Sequence, residues 1–398
     1  MSDRLRWSRK TWLALALYAA ALCGVGFAAA WHAPLGWDEK RFYLPAIQTM
    51  AAQLPHVTVA YALPQPPLML IVQAVAWRLT ASVAILRALA TFAFIAAVFA
   101  AARIIVTRDA RTWLLVMMIG TFPAMLVNAF SLKQHTFTLA FLMAALLAWR
   151  RRRAGWSAVF LALAILTHQL ALAFGLTLGI LALLRLWRER SRQALIEALL
   201  LASSVIPFAA LVIVWHGVQP RLFAATFPDI PQPHFSPPQL IFALIMAGCW
   251  LEPLVAEWKR IIPVALLTPV CAVLVCWSGI ARPFGEKFME GAAGPVFSII
   301  HAISPLYTTA VVIAGALVAA GVFFFLDGAS FEARLYVASS IATLLNVPFY
   351  FESYYALVIC MAWPLMADVI VRRQSQVIIP LQCGYIFFGL AYAAVKLL

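Results

Sequence analysis

Long apolar stretches, interrupted by short basic or proline-bearing segments, run along the whole chain. Most approach the roughly 20 residues that a helix needs to cross a bilayer. Such runs lie at 11–31, 83–105, 112–132 and 134–149. The next, 155–187, is too long for one helix, and the polar triplet Thr167-His168-Gln169 divides it in two. The pattern resumes at 195–217, 238–256, 261–280, 305–326, 334–350, 354–371 and 377–397. The expected fold is an all-α polytopic membrane bundle of about 11–13 transmembrane helices, because only closed hydrogen-bonding elements survive in lipid. It forms a single integral membrane domain over 1–398.

The segment 66–79 is also apolar but shorter, starts at Pro64-Gln65-Pro66-Pro67 and carries Arg78, which would be costly at mid-bilayer. It is read as lying on the outer membrane surface. The first extracytoplasmic loop, 32–82, thus carries surface helices; 218–237 and 281–304 are the other long outer loops, and 281–304 is a second candidate active-site loop.

Composition agrees with lipid as the main solvent. The chain is 65% hydrophobic and 11% charged, with mean hydropathy +0.93, whereas soluble domains carry roughly 25% charged residues. Net charge is +14, yet no nucleic-acid partner is expected. The basic residues sit in short clusters at the ends of apolar runs, as cytoplasmic anchors do. Those clusters are Arg4, Arg6, Arg9 and Lys10; Arg103, Arg108 and Arg111; Arg150 to Arg153; Arg185 to Arg192; Lys259 and Arg260; Arg334; and Arg372 and Arg373. Their alternation places the N-terminus in the cytoplasm. Span 1 resembles a signal peptide with a cleavage site near Ala28 to Ala30, but its length favours an uncleaved anchor. The six cysteines fall inside apolar segments without a CxxC pair, so neither disulfides nor a zinc site is expected. The Ala-rich, Arg-over-Lys composition points to a bacterial inner (plasma) membrane.

The chemistry-bearing segment is Gly36-Trp37-Asp38-Glu39-Lys40-Arg41-Phe42-Tyr43-Leu44-Pro45, just after span 1. Two adjacent carboxylates precede two cations at the outer boundary. A carboxylate near low dielectric can serve as a general base, and the cations could hold an anionic phosphate. An ordinary solvated charge cluster is the plain alternative. Further candidates are His56 in the surface segment; Lys133, Gln134 and His135 at a short outer turn; and His168 and Gln169 between spans 5 and 6. Arg282 and Lys287 in the second long loop, and Glu352 with Tyr354 at the start of span 12, complete the set. Turn polarity is the alternative at Lys133 and His135, helix–helix hydrogen bonding at His168 and Gln169, and an aromatic belt at Tyr354.

The order of these motifs resembles the GT-C glycosyltransferases, polytopic enzymes that use lipid-phosphate sugars. The matching series is Asp38-Glu39 with Phe42 and Pro45, then Gln65-Pro66-Pro67, Leu86-Arg87, Phe122-Pro123 and Thr167-His168-Gln169. Within that superfamily it is similar to the dolichyl-phosphate-glucose glucosyltransferases, over about residues 30–185. The stretch Phe349 to Tyr355 adds a later likeness. Two positions depart from the pattern. Ser131-Leu132-Lys133-Gln134-His135 stands where an acidic residue is common, and Ser353 stands where relatives favour Arg.

The resemblance implies a polyprenyl-phosphate-linked sugar donor and a glycan, lipid or protein acceptor, with glucose itself not carried over. It implies Asp38 as base, Glu39 orienting the acceptor or positioning the donor, and Lys40 and Arg41 nearest for the phosphate. Arg282 and Lys287 are further partners for that phosphate. A divalent metal, Mg or Mn, is compatible with the class, but no metal-ligand cluster is visible in the sequence. A transporter or flippase of a lipid-linked sugar is the alternative. It predicts charges deep in the spans, whereas here they lie mostly at helix ends.

Overall fold

The computed structural model describes residues 9–56, 60–105, 112–228, 330–344, 352–373 and 378–397. The expected spans 238–256, 261–280 and 305–326, and the 281–304 loop, lie outside them. Every regular element among the described residues is helical. Six helices there are long and apolar enough to cross a membrane: Arg9–Ala30, Val83–Ile105, Gln169–Glu189, Arg192–Trp215, Tyr354–Val371 and Ile379–Leu397.

The first span is α1 (Arg9–Val25), continued by a π-helical turn, Gly26–Ala30. A second π-turn, Glu39–Tyr43, leads into α2 (Leu44–Gln53). Helix α3 (Leu68–Thr80) packs on α2. At 13 residues it reaches only about 20 Å, short of a hydrocarbon core of about 30 Å.

Helix α4 (Val83–Ile105) has the bounds expected for span 2. It packs against α7 (His135–Arg150), which packs in turn against α8 (Ala154–Thr167). Small buried residues make these approaches close: Ala90, Ala97 and Ala101 on α4, Ala145 on α7, Ala158 and Ala164 on α8.

The expected span 112–132 is instead broken into α5 (Thr112–Gly120) and α6 (Pro123–Asn128). Proline has no N–H and forces the preceding residue out of the helical region. Phe122 accordingly takes φ −57°, ψ 122°, and Pro123 opens the new helix.

The long run 155–187 divides where expected. After α8, His168 is extended, a 3-10 turn covers Gln169–Ala171, and α9 (Leu172–Glu189) follows. The next span consists of α10 (Arg192–Ser203) and α11 (Ile206–Trp215), parted just ahead of Pro207. Short α12 (Arg221–Thr226) follows.

Of the remaining helices, α13 (Phe331–Leu344) packs on α9. Helix α14 (Glu352–Arg373) is the most enclosed of the six spans among the described residues and packs on α5, α6, α7 and α13. Helix α15 (Ile378–Leu397) lies over α5 and α6.

Charge divides the bundle by its two ends. Arg87 and Arg103 lie about 24 Å apart along α4. At the Arg103 end, Arg151 lies within electrostatic reach of Arg103 and Arg153, and Arg150 pairs with Glu332 at 3.5 Å. The Arg87 end holds the polar cluster described next.

Candidate active site

The loop after span 1 folds locally through Glu39. Its Oε2 accepts the Gly36 N–H at 2.8 Å, and Lys40 N–H donates to Gly36 O at 3.0 Å. A glutamate reaching back three residues to a helix start is the capping-box geometry. The same carboxylate is gripped by Arg87 from α4, Nε to Oε1 at 3.2 Å and Nη2 to Oε2 at 2.6 Å. Leu132 N–H donates to Oε1 at 2.9 Å. Both Glu39 oxygens therefore carry two donors each, and both side chains of the ion pair are nearly sealed from solvent.

The rest of the Arg87 guanidinium closes the C-terminal end of span 1. It donates to the carbonyls of Ala30 (2.9 Å), Ala33 (2.6 Å) and Pro34 (3.2 Å). Helix ends leave carbonyls without intrahelical donors, and a five-donor side chain suits them. Trp31 adds a bond from Nε1 to Thr91 Oγ1 at 3.1 Å, and the Thr91 hydroxyl lies 2.7 Å from Ala129 O. Span 1, α4 and α6 thus meet at one locked junction.

Asp38, next to Glu39, has a different setting. Its Oδ2 lies 2.6 Å from Lys133 Nζ, with side chains 24% and 25% exposed. Lys133 sits on the turn between α6 and α7. That turn is pinned by the Leu132–Glu39 bond, by Gln73 Nε2 on Leu132 O at 3.1 Å, and by Lys133 N–H on Ser131 Oγ at 3.2 Å. Two adjacent acids of the first loop therefore grip two adjacent residues of this turn.

Around the Asp38 pair stand Tyr43, Tyr354, His135 and His168. Burial, with neighbouring Tyr354 and the Asp38 carboxylate, pushes the Tyr43 phenol well above its ordinary range; it accepts a bond from Gln65 Nε2 at 3.3 Å. The His135 ring lies 5.0 Å from that of His168 and 5.7 Å from that of Tyr354, and His168 lies 5.8 Å from Tyr354. His168 Nδ1 accepts the Leu170 N–H at 3.3 Å, so its neutral form carries the proton on Nε2. That Nε2, both ring nitrogens of His135 and the Gln134 amide are buried without a protein partner among the described residues. Buried polar groups of this kind are ordinarily satisfied by water or ligand.

The other expected site residues are placed as follows. Gln169 Nε2 donates to Pro64 O at 3.3 Å, which joins the His168 turn to the first loop. The Arg41 guanidinium lies over the rings of Trp37, Phe42 and Phe227 at 5.0, 5.3 and 5.5 Å, so aromatic faces occupy it. Lys40 is exposed beside it, and His56 is exposed past the end of α2. Glu352 is the first residue of α14, with its side chain outside the description. Arg282 and Lys287 lie outside the described residues. Sequence reasoning passes over Arg87 and Tyr43 as site residues. For Arg87 a signal exists, since an arginine inside an apolar span marks a functional or positioning group.

The class that this fold defines is an all-α polytopic integral membrane protein. No family model matches the chain, and no curated protein matches it. Among solved structures, it is similar to the crystal structure of ArnT from Cupriavidus metallidurans bound to undecaprenyl phosphate. Identity is 17% and the TM-score 0.47, covering 98% of this chain and 64% of that one. The chain spans less than two thirds of that protein's length. A likeness of this degree identifies neither reaction nor substrate.

Proposed function

We propose that the chain is a membrane glycosyltransferase of the GT-C type. It moves a sugar from a polyprenyl-phosphate donor to the hydroxyl of a glycan, lipid or protein acceptor on the extracytoplasmic side of a bacterial inner membrane. One observation carries this reading: Asp38 is a partly open carboxylate at the polar end of an apolar bundle, paired with Lys133 and backed by uncharged hydrogen-bonding groups. A base, a cation and hydroxyl-binding groups within one small region suit transfer of a sugar from a phosphate.

In this reading Asp38 takes the acceptor's proton. Glu39 acts through position, because Arg87 and two backbone N–H groups occupy its oxygens. His135, His168, Gln134 and Gln169 meet the sugar or acceptor hydroxyls. The arginine clusters at the opposite end support a cytoplasmic placement of that end.

The test uses the purified full-length chain in lipid nanodiscs with synthetic polyprenyl-phosphate hexoses and a membrane-extract acceptor. Asp38→Asn should lower release of polyprenyl phosphate by about 10²–10⁴-fold, the usual contribution of a positioned base. Its elution volume and melting temperature should match those of the parent protein. Transfer at the parental rate by folded Asp38→Asn would sink the assignment.

A further inference from the structure

We infer that the Asp38–Lys133 pair is a latch that the donor's phosphate opens. Lys133 is the cation that receives the phosphate, and by leaving Asp38 it turns that carboxylate into a competent base. The inference rests on the glycosyltransferase reading given above.

The two neighbouring acids are each paired with a cation, but in opposite settings. Arg87 and Glu39 are nearly sealed, with 3% and 6% of their side chains exposed, and are held by several further bonds. A buried, hydrogen-bonded pair of this kind opens only at large cost. Lys133 and Asp38 are a quarter exposed. A partly exposed ion pair contributes less net stability than a sealed one and opens more cheaply. The backbone of the Lys133 turn is fixed at Ser131, Leu132 and Gln73. Only the flexible four-carbon stem of Lys133 has to swing.

The chemistry assigns a use to this asymmetry. In the resting pair, the ammonium stands 2.6 Å from Asp38 Oδ2, on the oxygen to which an acceptor hydroxyl would donate. The charged groups around the pair are Glu39, itself held by Arg87, together with the titratable Tyr43, Tyr354 and His135. A polyprenyl-phospho-sugar presents a phosphodiester anion that competes for the ammonium. During transfer the acceptor oxygen forms its bond to the anomeric carbon and its proton passes to Asp38. The bond from the anomeric carbon to the phosphate oxygen breaks. The leaving group becomes a phosphate monoester with a second negative charge, which Lys133 meets as it develops. The base is therefore unmasked only when a donor is in place, so donor binding precedes activation of the acceptor.

The latch makes a prediction that a merely structural ion pair does not. Binding of undecaprenyl phosphate to the full-length chain in nanodiscs is measured by calorimetry for the parent protein and its variants. Lys133→Gln should weaken binding by about tenfold or more, the effect of losing one charge-assisted contact, and Lys133→Arg should retain most of it. Asp38→Asn should tighten binding several-fold, because the ammonium no longer has a competing carboxylate. The double variant should behave as Lys133→Gln. Weakened or unchanged binding in Asp38→Asn would overturn the latch, and so would unaltered binding in Lys133→Gln. Should Lys133→Gln fail to fold, Asp38→Asn alone decides, since only the latch predicts tighter binding. Inorganic phosphate competing as well as the lipid would overturn a lipid phosphate as the ligand. If the parent protein binds no undecaprenyl phosphate while Asp38→Asn still abolishes sugar transfer, the latch falls and the base assignment stands.

Discussion

Glu39 and Asp38 are identical in chemistry to within one methylene and adjacent in sequence, yet their surroundings assign them different work. Glu39 receives two guanidinium bonds and two backbone N–H bonds at almost no exposure. Removing one member of such a pair leaves a buried charge without its counter-ion. Glu39→Gln and Arg87→Met should therefore each destabilise the protein by about 3–5 kcal/mol, read as a fall in melting temperature in detergent. The double variant should recover part of the loss, because it removes both charges together. A Glu39→Gln protein that melts like the parent yet loses transfer would show instead that Glu39 touches substrate. The Asp-Glu pair itself is legible in the sequence as a charge cluster after a span. Its division of labour is not, because Arg87 is 48 positions away and Leu132 is 93. No local periodicity encodes which acid the fold will seal.

At the scale of elements the legible features are those with a local cause. Helix α4 has the bounds expected from its apolar run, and the long run after Ala154 breaks at His168, whose side chain satisfies the next turn. The division of the third span at Phe122-Pro123 is also local, but apolar length alone reads straight across it. The packing that this break permits is invisible in the sequence. The break after Gly120 brings the Thr121 carbonyl against α15, where a Cβ on Gly389 would lie 1.8 Å from Thr121 O. Gly120 is tight as well, since a Cβ there would meet the Tyr18 hydroxyl at 2.8 Å, and that hydroxyl donates to Gly120 O. Gly389→Ala should force α15 away from the break and cost about 1–3 kcal/mol, as overpacking does. Gly384, on the same helix, has nothing near its missing Cβ. There Gly384→Ala should be neutral or stabilise by up to about 1 kcal/mol through helix propensity. Thermal melting of the two variants side by side checks the contact. Equal melting temperatures would mean that α15 does not pack on the break.

For the whole molecule, the two ends of the bundle carry opposite kinds of polarity. One end collects arginines: Arg103 on α4, Arg150 to Arg153 after α7, and Arg185 and Arg188 near the end of α9. The other collects Asp38, Glu39, Arg87, Lys133, His135 and His168, joined by ion pairs and ring contacts. Positive residues are retained on the cytoplasmic side during insertion, so the arginine end should face the cytoplasm and the Asp38 end the outside. The exposed residues Lys40 and Arg153 report the two ends directly. In a background with the six native cysteines replaced by alanine, Lys40→Cys should react with a membrane-impermeant maleimide in intact cells. Arg153→Cys should react only after permeabilisation. Labelling in the reverse order would put the carboxylate on the cytoplasmic side. An acceptor arriving from outside could not then reach it, and a donor presented on the outer leaflet would have no base to meet.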